Sequence, residues 1–399
     1  MAQAPGNHEF TIAIICALEV EFNAAELVVE HPWSEPGTQQ SPGDPNIYFK
    51  ARVLGHNVVL VRLDRMGKAM AASAAASLRS TFGSLTLVLL VGVCDGNPSP
   101  AKNTELLLGD VVVGSSVVQY DLGRRFPDRF EMRETPSSSL GRPSKAVGNL
   151  VAALDTAKAR FQLQQRSAAV LVEMIQQPSA SRPWQQMAYQ YPGTAKDVLF
   201  PANYRHKCQV PDACATCKQC VNTTDPTCLE SSELACDVLG CDKEMVEFRE
   251  RLEEKQYSEE SGNMAQAQTF KIFFGCIASG DTVLKSGEDR DLLAKQLSQK
   301  RQETILAFEM EGAGVWDELP CLVVKGVCAY ADGHRNKSWQ EFAAATAAAV
   351  TRAIIEKYPT TQKAVEDSAK EGGKMINASC IPSLLQGDEE TYDTWLQDP

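Results

Sequence analysis

Seven of the thirteen cysteines in this 399-residue chain lie between positions 208 and 241. Cys214, Cys217 and Cys220 are separated by two residues each, and His206 and Cys208 come shortly before them. Such short spacing allows thiolates and an imidazole to converge on a tetrahedral Zn²⁺ ion. The stretch therefore predicts a structural zinc site among these five residues, with disulfides and then reactive thiols as the alternatives.

Three further cysteines of the stretch are not needed for that site, because one zinc ion takes four ligands. For Cys228, Cys236 and Cys241 we expect one of three arrangements: a second partial site, disulfide pairing or free thiols. The six remaining cysteines are scattered, several of them in apolar runs, where cysteine behaves as a small hydrophobic residue. Residues 1–8 are too polar for a secretory signal, so we expect mostly reduced thiols and a cytoplasmic location.

Two groups of basic side chains stand out in an otherwise acidic chain. Arg62, Arg65 and Lys68 precede an alanine-rich stretch, and Arg124 and Arg125 belong to a second group. Either group could bind the phosphates of an anionic ligand. An equally good interpretation is that they are solvated loop charges, since exposed arginines are common.

The hydrophobic pattern predicts one α/β domain over residues 10–358, which would position these side chains. Residues 10–18 form a continuous apolar run, typical of a strand buried on both faces, and a helix pattern follows at once. Similar signals predict strands at 47–53, 57–63, 85–93, 109–120, 269–278 and 321–327, and helices at 67–79, 143–178, 287–302 and 338–357.

Three segments depart from this pattern. Residues 179–268 are rich in Pro, Cys and charged residues, which predicts an insertion without an apolar core of its own. Residues 1–9 are expected to form a flexible N-terminus. Residues 359–399 have few apolar anchors and end acidic, as is typical of a linker or docking arm.

The composition excludes several classes of protein. With 44% hydrophobic and 23% charged residues, the chain is unlike collagen, a coiled coil or a disordered protein. The net charge of −12 argues against a nucleic-acid partner. No apolar run reaches the roughly 20 residues of a membrane-spanning helix, so no membrane partner is expected.

Four separated segments together resemble the nucleoside phosphorylase/nucleosidase superfamily. They are ICALEVE at 15–21, MGK at 66–68, LGDVVV at 108–113, and FEMEGA at 308–313 followed by VVKGVCAYAD at 323–332. The stretches at 117–125 and 330–339 are most similar to fungal members, which often adjoin nucleotide-binding immune-type modules. The resemblance implies a three-layer α/β fold, with a mixed central sheet and helices on both faces, and a homo-oligomer.

The resemblance also implies a reaction, the cleavage of the bond between ribose C1′ and a purine nitrogen. Its transition state has oxocarbenium character, so the site must stabilise positive charge on the ribose and supply a nucleophile. Glu311 would accept hydrogen bonds from the ribose hydroxyls, Met310 would pack beneath the ribose, and Glu309 is counted with the substrate-binding residues. Glu21 would hold and activate the attacking water. No organic cofactor is implied.

At one position the chain departs from the family pattern. Ala329 stands where the family carries the aspartate that protonates the purine, and a methyl group cannot donate a proton. Asp332, three residues later, is interpreted as structural. Natural loss and engineered inactivation both remain open, and the retention of Glu21 and Glu311 favours the second.

A purine nucleoside or nucleotide hydrolase, impaired by Ala329 and acting on adenosine or ATP, is the function that the sequence favours. Water is the favoured nucleophile because the first loop holds two glutamates and no arginine, and because Asp95 would repel phosphate. A phosphorylase, a nucleotide-sensing module without turnover and an assembly scaffold are the alternatives. The isolated His31, His56 and His334 are interpreted as loop or surface residues rather than ligands, with a family-type loop role for His334 as the main exception.

Overall fold

A computed structural model describes residues 5–33, 40–133, 140–176, 189–210, 214–222, 225–334 and 336–359. All but the first residue of the predicted tail, 359–399, lies outside these ranges, as do parts of the predicted insertion. The chain up to Pro359 forms one compact unit. No helix of the described ranges is long and apolar enough to cross a membrane.

A mixed sheet of nine strands forms the centre of the described structure. The strands are β1 (Ile12–Cys16), β2 (His31–Pro32), β3 (Tyr48–Val53), β4 (His56–Arg62), β5 (Leu87–Gly96), β6 (Val111–Gln119), β9 (Ile272–Ser279), β10 (Ile305–Glu309) and β11 (Cys321–Ala329), with β7 (Gly123–Arg125) and β8 (Phe130–Met132) forming a separate ribbon. Their order in the sheet is β10-β9-β6-β11-β5-β1-β4-β3-β2, and β10 also pairs with β5. This confirms the predicted mixed central sheet.

Two inner strands of the sheet are buried along their whole length. Every residue of β1 and β11 is buried, and the two strands lie on either side of β5, parallel to it. A parallel strand covered on both faces requires such an uninterrupted apolar sequence, and this is why the composition of these runs predicted them. Lys325 in β11 is the exception in its run, and it lies at the candidate site described below.

Eleven α-helices are present in the described ranges. They are α1 (Glu19–Glu26), α2 (Lys68–Thr81), α3 (Lys145–Leu154), α4 (Ala157–Ile175), α5 (Ala215–Gln219), α6 (Cys236–Leu239), α7 (Glu250–Glu260), α8 (Met264–Ala267), α9 (Gly287–Arg301), α10 (Gly312–Val315) and α11 (Gln340–Lys357). The single helical pattern predicted at 143–178 is divided into α3 and α4. Thr156 causes the break, because its hydroxyl accepts the backbone N–H of Ala159 and caps the second helix.

Neighbouring residues of β11 show how the two faces of the sheet are used. A Cβ added to Gly326 would lie 2.0 Å from the carbonyl oxygen of Ala343, so α11 packs directly on that face. Side chains of successive strand residues point to opposite faces. Lys325 therefore points away from α11, toward the segment between β10 and α10. One face of the sheet is therefore packed against α11, and the opposite face carries the candidate site.

The described part of the insertion is attached to the main domain by apolar and polar contacts. Tyr189 and Leu199 are buried in the main core. The insertion also has a small apolar cluster centred on Phe200 and Leu239.

Within the insertion Arg249 donates to Asp197 at 2.9 Å, and both side chains are almost completely buried. Asp197 also accepts the hydroxyl of Tyr330 at 2.7 Å and the backbone N–H of Leu108 at 3.1 Å, both from the main domain. Arg251 binds Asp110, which lies just before β6. Breaking such a buried ion pair by removing one partner costs about 3–5 kcal/mol, so these contacts fix the insertion to the sheet.

Candidate active site

One buried lysine stands among three buried glutamates beside the ends of β1 and β10. The Nζ atom of Lys325 lies 3.0 Å from a carboxylate oxygen of Glu311 and 3.7 Å from one of Glu309. The Lys325 side chain is 0% exposed. Glu21, just after β1, is also buried and interacts electrostatically with the same ammonium group. One positive charge is therefore shared by three carboxylates, and this cluster is called the glutamate cluster below.

Glu21 is held by the backbone around it. One carboxylate oxygen accepts the N–H groups of Ala17 and Leu18 at 2.9 and 2.8 Å, and the other accepts the N–H of Val93 at 2.7 Å. The first two bonds cap the N-terminus of α1, where an acidic group is favoured by the free amides and the helix dipole. The third bond crosses to β5. Glu21 is thus fixed in position by two strand ends.

Glu309 and Glu311 have different roles although they are two residues apart. Both oxygens of Glu309 accept backbone N–H groups of its own loop, from Glu311 and Gly312 at 2.9–3.0 Å. Glu309 therefore shapes the turn into α10 and orients Glu311. The carboxylate of Glu311 accepts the Lys325 ammonium and, at 3.4 Å, the N–H of Gly67. Glu309 therefore has a positioning role in this geometry, and its contact with a substrate stays a prediction.

The ionisation of the glutamate cluster is set by burial and by Lys325. Burial raises the pKa of Glu21, the Lys325 ammonium lowers it, and the carboxylate of Glu311 raises it further. Burial raises the pKa of Glu309 in the same way, again opposed by Lys325. For Lys325 itself burial acts to lower the pKa, but the three carboxylates outweigh burial and raise it. The lysine stays charged, and Glu21 has the raised pKa that suits a general base.

Ala329 lies at the end of β11 and is buried. Its register partner on the neighbouring strand β5 is Asp95, which is also buried. Asp95 is in turn the register partner of Phe308 on β10. Met310 is partly buried between the two glutamates of its segment. Asp332 accepts the backbone N–H of His334 at 2.9 Å and so shapes the loop after β11.

Lys68, at the start of α2, is engaged by acidic side chains. Its ammonium pairs with Asp121 and lies 3.7 Å from Asp281. Its backbone N–H, the first of the helix, donates to Asp281 at 2.8 Å. A helix N-terminus is a natural binding site for an anion, and here the carboxylate of Asp281 occupies it. A phosphate would have to displace that carboxylate.

The other predicted phosphate-binding residues lie at the surface. Arg62 ends β4 and is 3.9 Å from Glu19, and Arg65 is 3.4 Å from Asp64. In both pairs the side chains are about half exposed or more, so such ion pairs contribute little stability. Arg124 and Arg125 lie on the exposed ribbon of β7 and β8, which is separate from the main sheet.

The structure does not bring the five predicted zinc ligands together. Cys214 and Cys217 lie near Cys228 in one group of thiols, because α5 brings both to one side. The Sγ atom of Cys220 instead approaches the carbonyl oxygens of Asn222 and Asp225 at 4.0 and 3.8 Å. Cys208 packs against the small apolar cluster of the insertion. The set of five therefore does not form one site.

His206 belongs to a different group, together with Cys236, Cys241 and His334. The structure confirms His334 as a loop residue, but its proximity to these three side chains was not predicted. His334 is buried and comes from the loop after β11, whereas the other three residues come from the insertion. The prediction that His56 is a loop or surface residue is wrong, since His56 is buried in β4. Sequence spacing could not predict the group that contains His334, because its other members are distant from His334 in the chain.

No family model matches the chain. A relative in the fungus Hyaloscypha variabilis, described as a nucleotide-binding leucine-rich repeat (NLR)-like protein, is 28% identical over 353 residues. The match covers 87% of this chain and 29% of that protein, so the chain spans less than a third of the relative's length.

Two of the solved structures to which the chain is similar are a hydrolase and a nucleosidase. Futalosine hydrolase of Helicobacter pylori is 16% identical, with 88% of this chain and 99% of that chain covered and a TM-score of 0.46. A 5′-methylthioadenosine/S-adenosylhomocysteine nucleosidase from Colwellia psychrerythraea, in complex with adenine, is 17% identical, with 89% and 97% covered and a TM-score of 0.47.

Proposed function

We propose that this chain carries a purine N-ribohydrolase site that binds a purine nucleoside or nucleotide and lacks the acid for efficient turnover. The observation that carries the proposal is the joint burial of Glu21 and Glu311 around Lys325. Buried charges are retained at a cost to stability. Hydrolysis of an N-glycosidic bond needs one carboxylate to bind the ribose and another to activate the attacking water. Two fixed carboxylates could supply these two roles.

The roles of the residues follow from their surroundings. Glu311 is held by Lys325 and is oriented by the turn that Glu309 forms, so its carboxylate is positioned to accept the ribose hydroxyls. Its negative charge favours the cationic sugar of the transition state. Glu21, with its raised pKa, takes a proton from the attacking water as the C1′–N bond breaks. Met310 packs beneath the ribose.

The leaving purine needs a proton, and Ala329 cannot supply one. General acid catalysis typically contributes about 10²–10⁴-fold, so its loss leaves binding intact and slows the bond cleavage strongly. Water rather than phosphate is the proposed nucleophile. The N-terminus of α2 is already occupied by the carboxylate of Asp281, and the neighbouring glutamates repel an incoming anion.

A second candidate is a nucleotide-sensing module without turnover. Ala329 favours it directly, because a site that binds and does not cleave suits a sensor. It also agrees with the match to one part of a longer NLR-like relative. Binding is common to both candidates, whereas gain of cleavage after restoration of the acid belongs to the hydrolase alone.

Calorimetric titration of the full chain with adenosine, AMP and ATP tests the binding site. We expect at least one of them to bind, and Glu311→Gln to weaken its affinity at least tenfold by removing the acceptor for the ribose hydroxyls. Glu253→Gln, an exposed glutamate of α7, is the matched control and is expected to bind as the unmodified chain does. No binding of any of the three, or equal binding by both variants, would contradict the proposal.

A further inference from the structure

The group of His206, Cys236, Cys241 and His334 has the dimensions of a tetrahedral metal site. The two Nδ1 atoms are 3.1 Å apart, and the four distances from a sulfur to an Nδ1 atom are 3.5–4.0 Å. Zinc bonds of about 2.0–2.1 Å to nitrogen and about 2.3 Å to sulfur place tetrahedral ligands about 3.3 Å apart for two nitrogens and about 3.6 Å for nitrogen and sulfur. The four ligand atoms therefore surround a space that fits one ion.

The protonation of the two imidazoles supports the same conclusion. The Nε2 atom of His206 lies 3.0 Å from the carbonyl oxygen of Leu234, and that of His334 lies 3.1 Å from the carbonyl oxygen of Tyr204. A carbonyl only accepts, so each Nε2 is the donor. In the neutral rings both Nδ1 atoms then carry lone pairs, which face each other at 3.1 Å. A cation between them removes this repulsion, and the carbonyls are the outer partners typical of metal-bound histidines.

The local chain geometry brings the four residues together. Cys236 begins the short helix α6, and Gly240 adopts a left-handed φ of 73° that turns the chain back before Cys241. A Cβ added to Gly333 would lie 2.7 Å from the Cβ of His206. Only glycine permits this close approach of the loop after β11 to the insertion.

We propose that His206, Cys236, Cys241 and His334 bind one structural Zn²⁺ ion. Two thiolates and two imidazoles in a tetrahedral arrangement are a donor set typical of zinc. The two thiols lose their protons on binding, so the charge of the ion is neutralised. All four positions are taken by protein, as in structural rather than catalytic zinc sites. This site differs from the one that the cysteine spacing alone predicts.

The ion would connect the insertion to the loop after β11. Three ligands belong to the insertion, and the fourth follows β11, which ends at Ala329. The ion would therefore hold the insertion against the loop that borders the glutamate cluster. Because a structural zinc site contributes folding free energy, its removal should loosen both segments.

Metal analysis of the purified full chain, after equilibration with Zn²⁺ alone, tests the proposal. Cys236→Ser and Cys241→Ser are each expected to lower the zinc content by about one equivalent per chain. Cys208→Ser is the matched control, since it removes a thiol of the same insertion that lies outside the group, and its zinc content should equal that of the unmodified chain. Loss of zinc in Cys208→Ser with retention in Cys236→Ser would overturn the assignment.

A second measurement needs no variant. Replacement of zinc by Co²⁺ in the unmodified chain is expected to give the intense visible absorption of tetrahedral cobalt together with thiolate-to-cobalt charge-transfer bands. Chelation should then increase proteolytic cleavage between residues 201 and 245. Absence of these bands, or a disulfide between Cys236 and Cys241 found by mass spectrometry of the purified protein, would contradict a zinc site.

Discussion

Asp95 and Ala329 are register partners on the adjacent parallel strands β5 and β11, and both are buried. The pairing shifts by one residue between Val327 and Ala329, so the two residues are neighbours across the strands at an irregularity of the ladder. The family resemblance implies a carboxylate at position 329, where this chain has a methyl group. The neighbouring residue on β5, Asp95, does carry a carboxylate. This relationship determines how a restored acid would behave.

Restoration of the acid is expected to give an enzyme with a high-pH limit set by Asp95. The carboxyl introduced by Ala329→Asp would have Asp95 as a neighbour, and a like charge raises a carboxyl pKa. It would therefore stay protonated and able to donate at higher pH. Adding Asp95→Asn should move the alkaline limb of the rate profile to lower pH. Base release measured from pH 4 to pH 9 checks this, and an unmoved limb would exclude the coupling.

The acid limb of the same profile should report Glu21. Because burial raises the pKa of Glu21, the rate should rise with pH through a value above that of an ordinary glutamate, as the base loses its proton. In the Ala329→Asp background, Glu21→Gln should abolish this limb and lower the rate about 10²–10⁴-fold. A limb that persists in Glu21→Gln would assign the base to another residue.

Lys325→Met is expected to destabilise the fold strongly and in a pH-dependent way. Removal of one partner from a buried ion pair costs about 3–5 kcal/mol, and here it leaves three buried carboxylates without their cation. Loss of the ammonium raises the folded-state pKa of Glu21 and Glu309 further above their unfolded values. Stability in this variant is therefore present at low pH and lost as pH rises through these folded pKa values. Urea unfolding at pH 5 and pH 8 measures the effect.

The control for that experiment is Lys255→Met. Lys255 is also buried, but its ammonium donates to the carbonyl oxygen of Thr269 at 2.8 Å, and burial lowers its pKa to about 8. Its replacement should cost about 1.5–3 kcal/mol, as for a single hydrogen bond from a charged group. Equal losses in the two variants would show that the glutamate cluster is not specially dependent on Lys325.

Gly92→Ala should disable the site with a modest loss of stability. A Cβ at Gly92 would lie 2.2 Å from a carboxylate oxygen of Glu21, so the carboxylate must move and give up its backbone hydrogen bonds. We expect a loss of about 1–3 kcal/mol in unfolding free energy and loss of base release in the Ala329→Asp background. Gly83→Ala, where a Cβ meets nothing within 4 Å, is the matched control and should leave both unchanged.

The sequence was informative where local pattern decides the structure. Continuous apolar runs predicted β1 and β11, because a strand buried on both faces must be apolar throughout. Glu21 and Glu311 were predicted from the family resemblance of short segments that follow β1 and β10. Lys325 was not singled out, although one lysine inside such a run is itself a signal of a buried counter-ion.

The sequence was misleading where the contact joins distant segments. The close spacing of Cys214, Cys217 and Cys220 favoured a local zinc site. The structure instead assembles Cys236 with His334, which is 98 residues away. No local pattern encodes that contact, since it depends on how the insertion lies against the loop after β11.

Adenine release from adenosine, AMP and ATP by the unmodified chain and by Ala329→Asp, with and without inorganic phosphate, tests the central claim most directly. We expect Ala329→Asp to release adenine at least a hundredfold faster than the unmodified chain from at least one of these three compounds. Inorganic phosphate should not change the rate. The substrate with the highest rate would identify the 5′ group that the site accepts. Ligand binding without base release by either protein would contradict the hydrolase and leave the nucleotide-sensing module as the function.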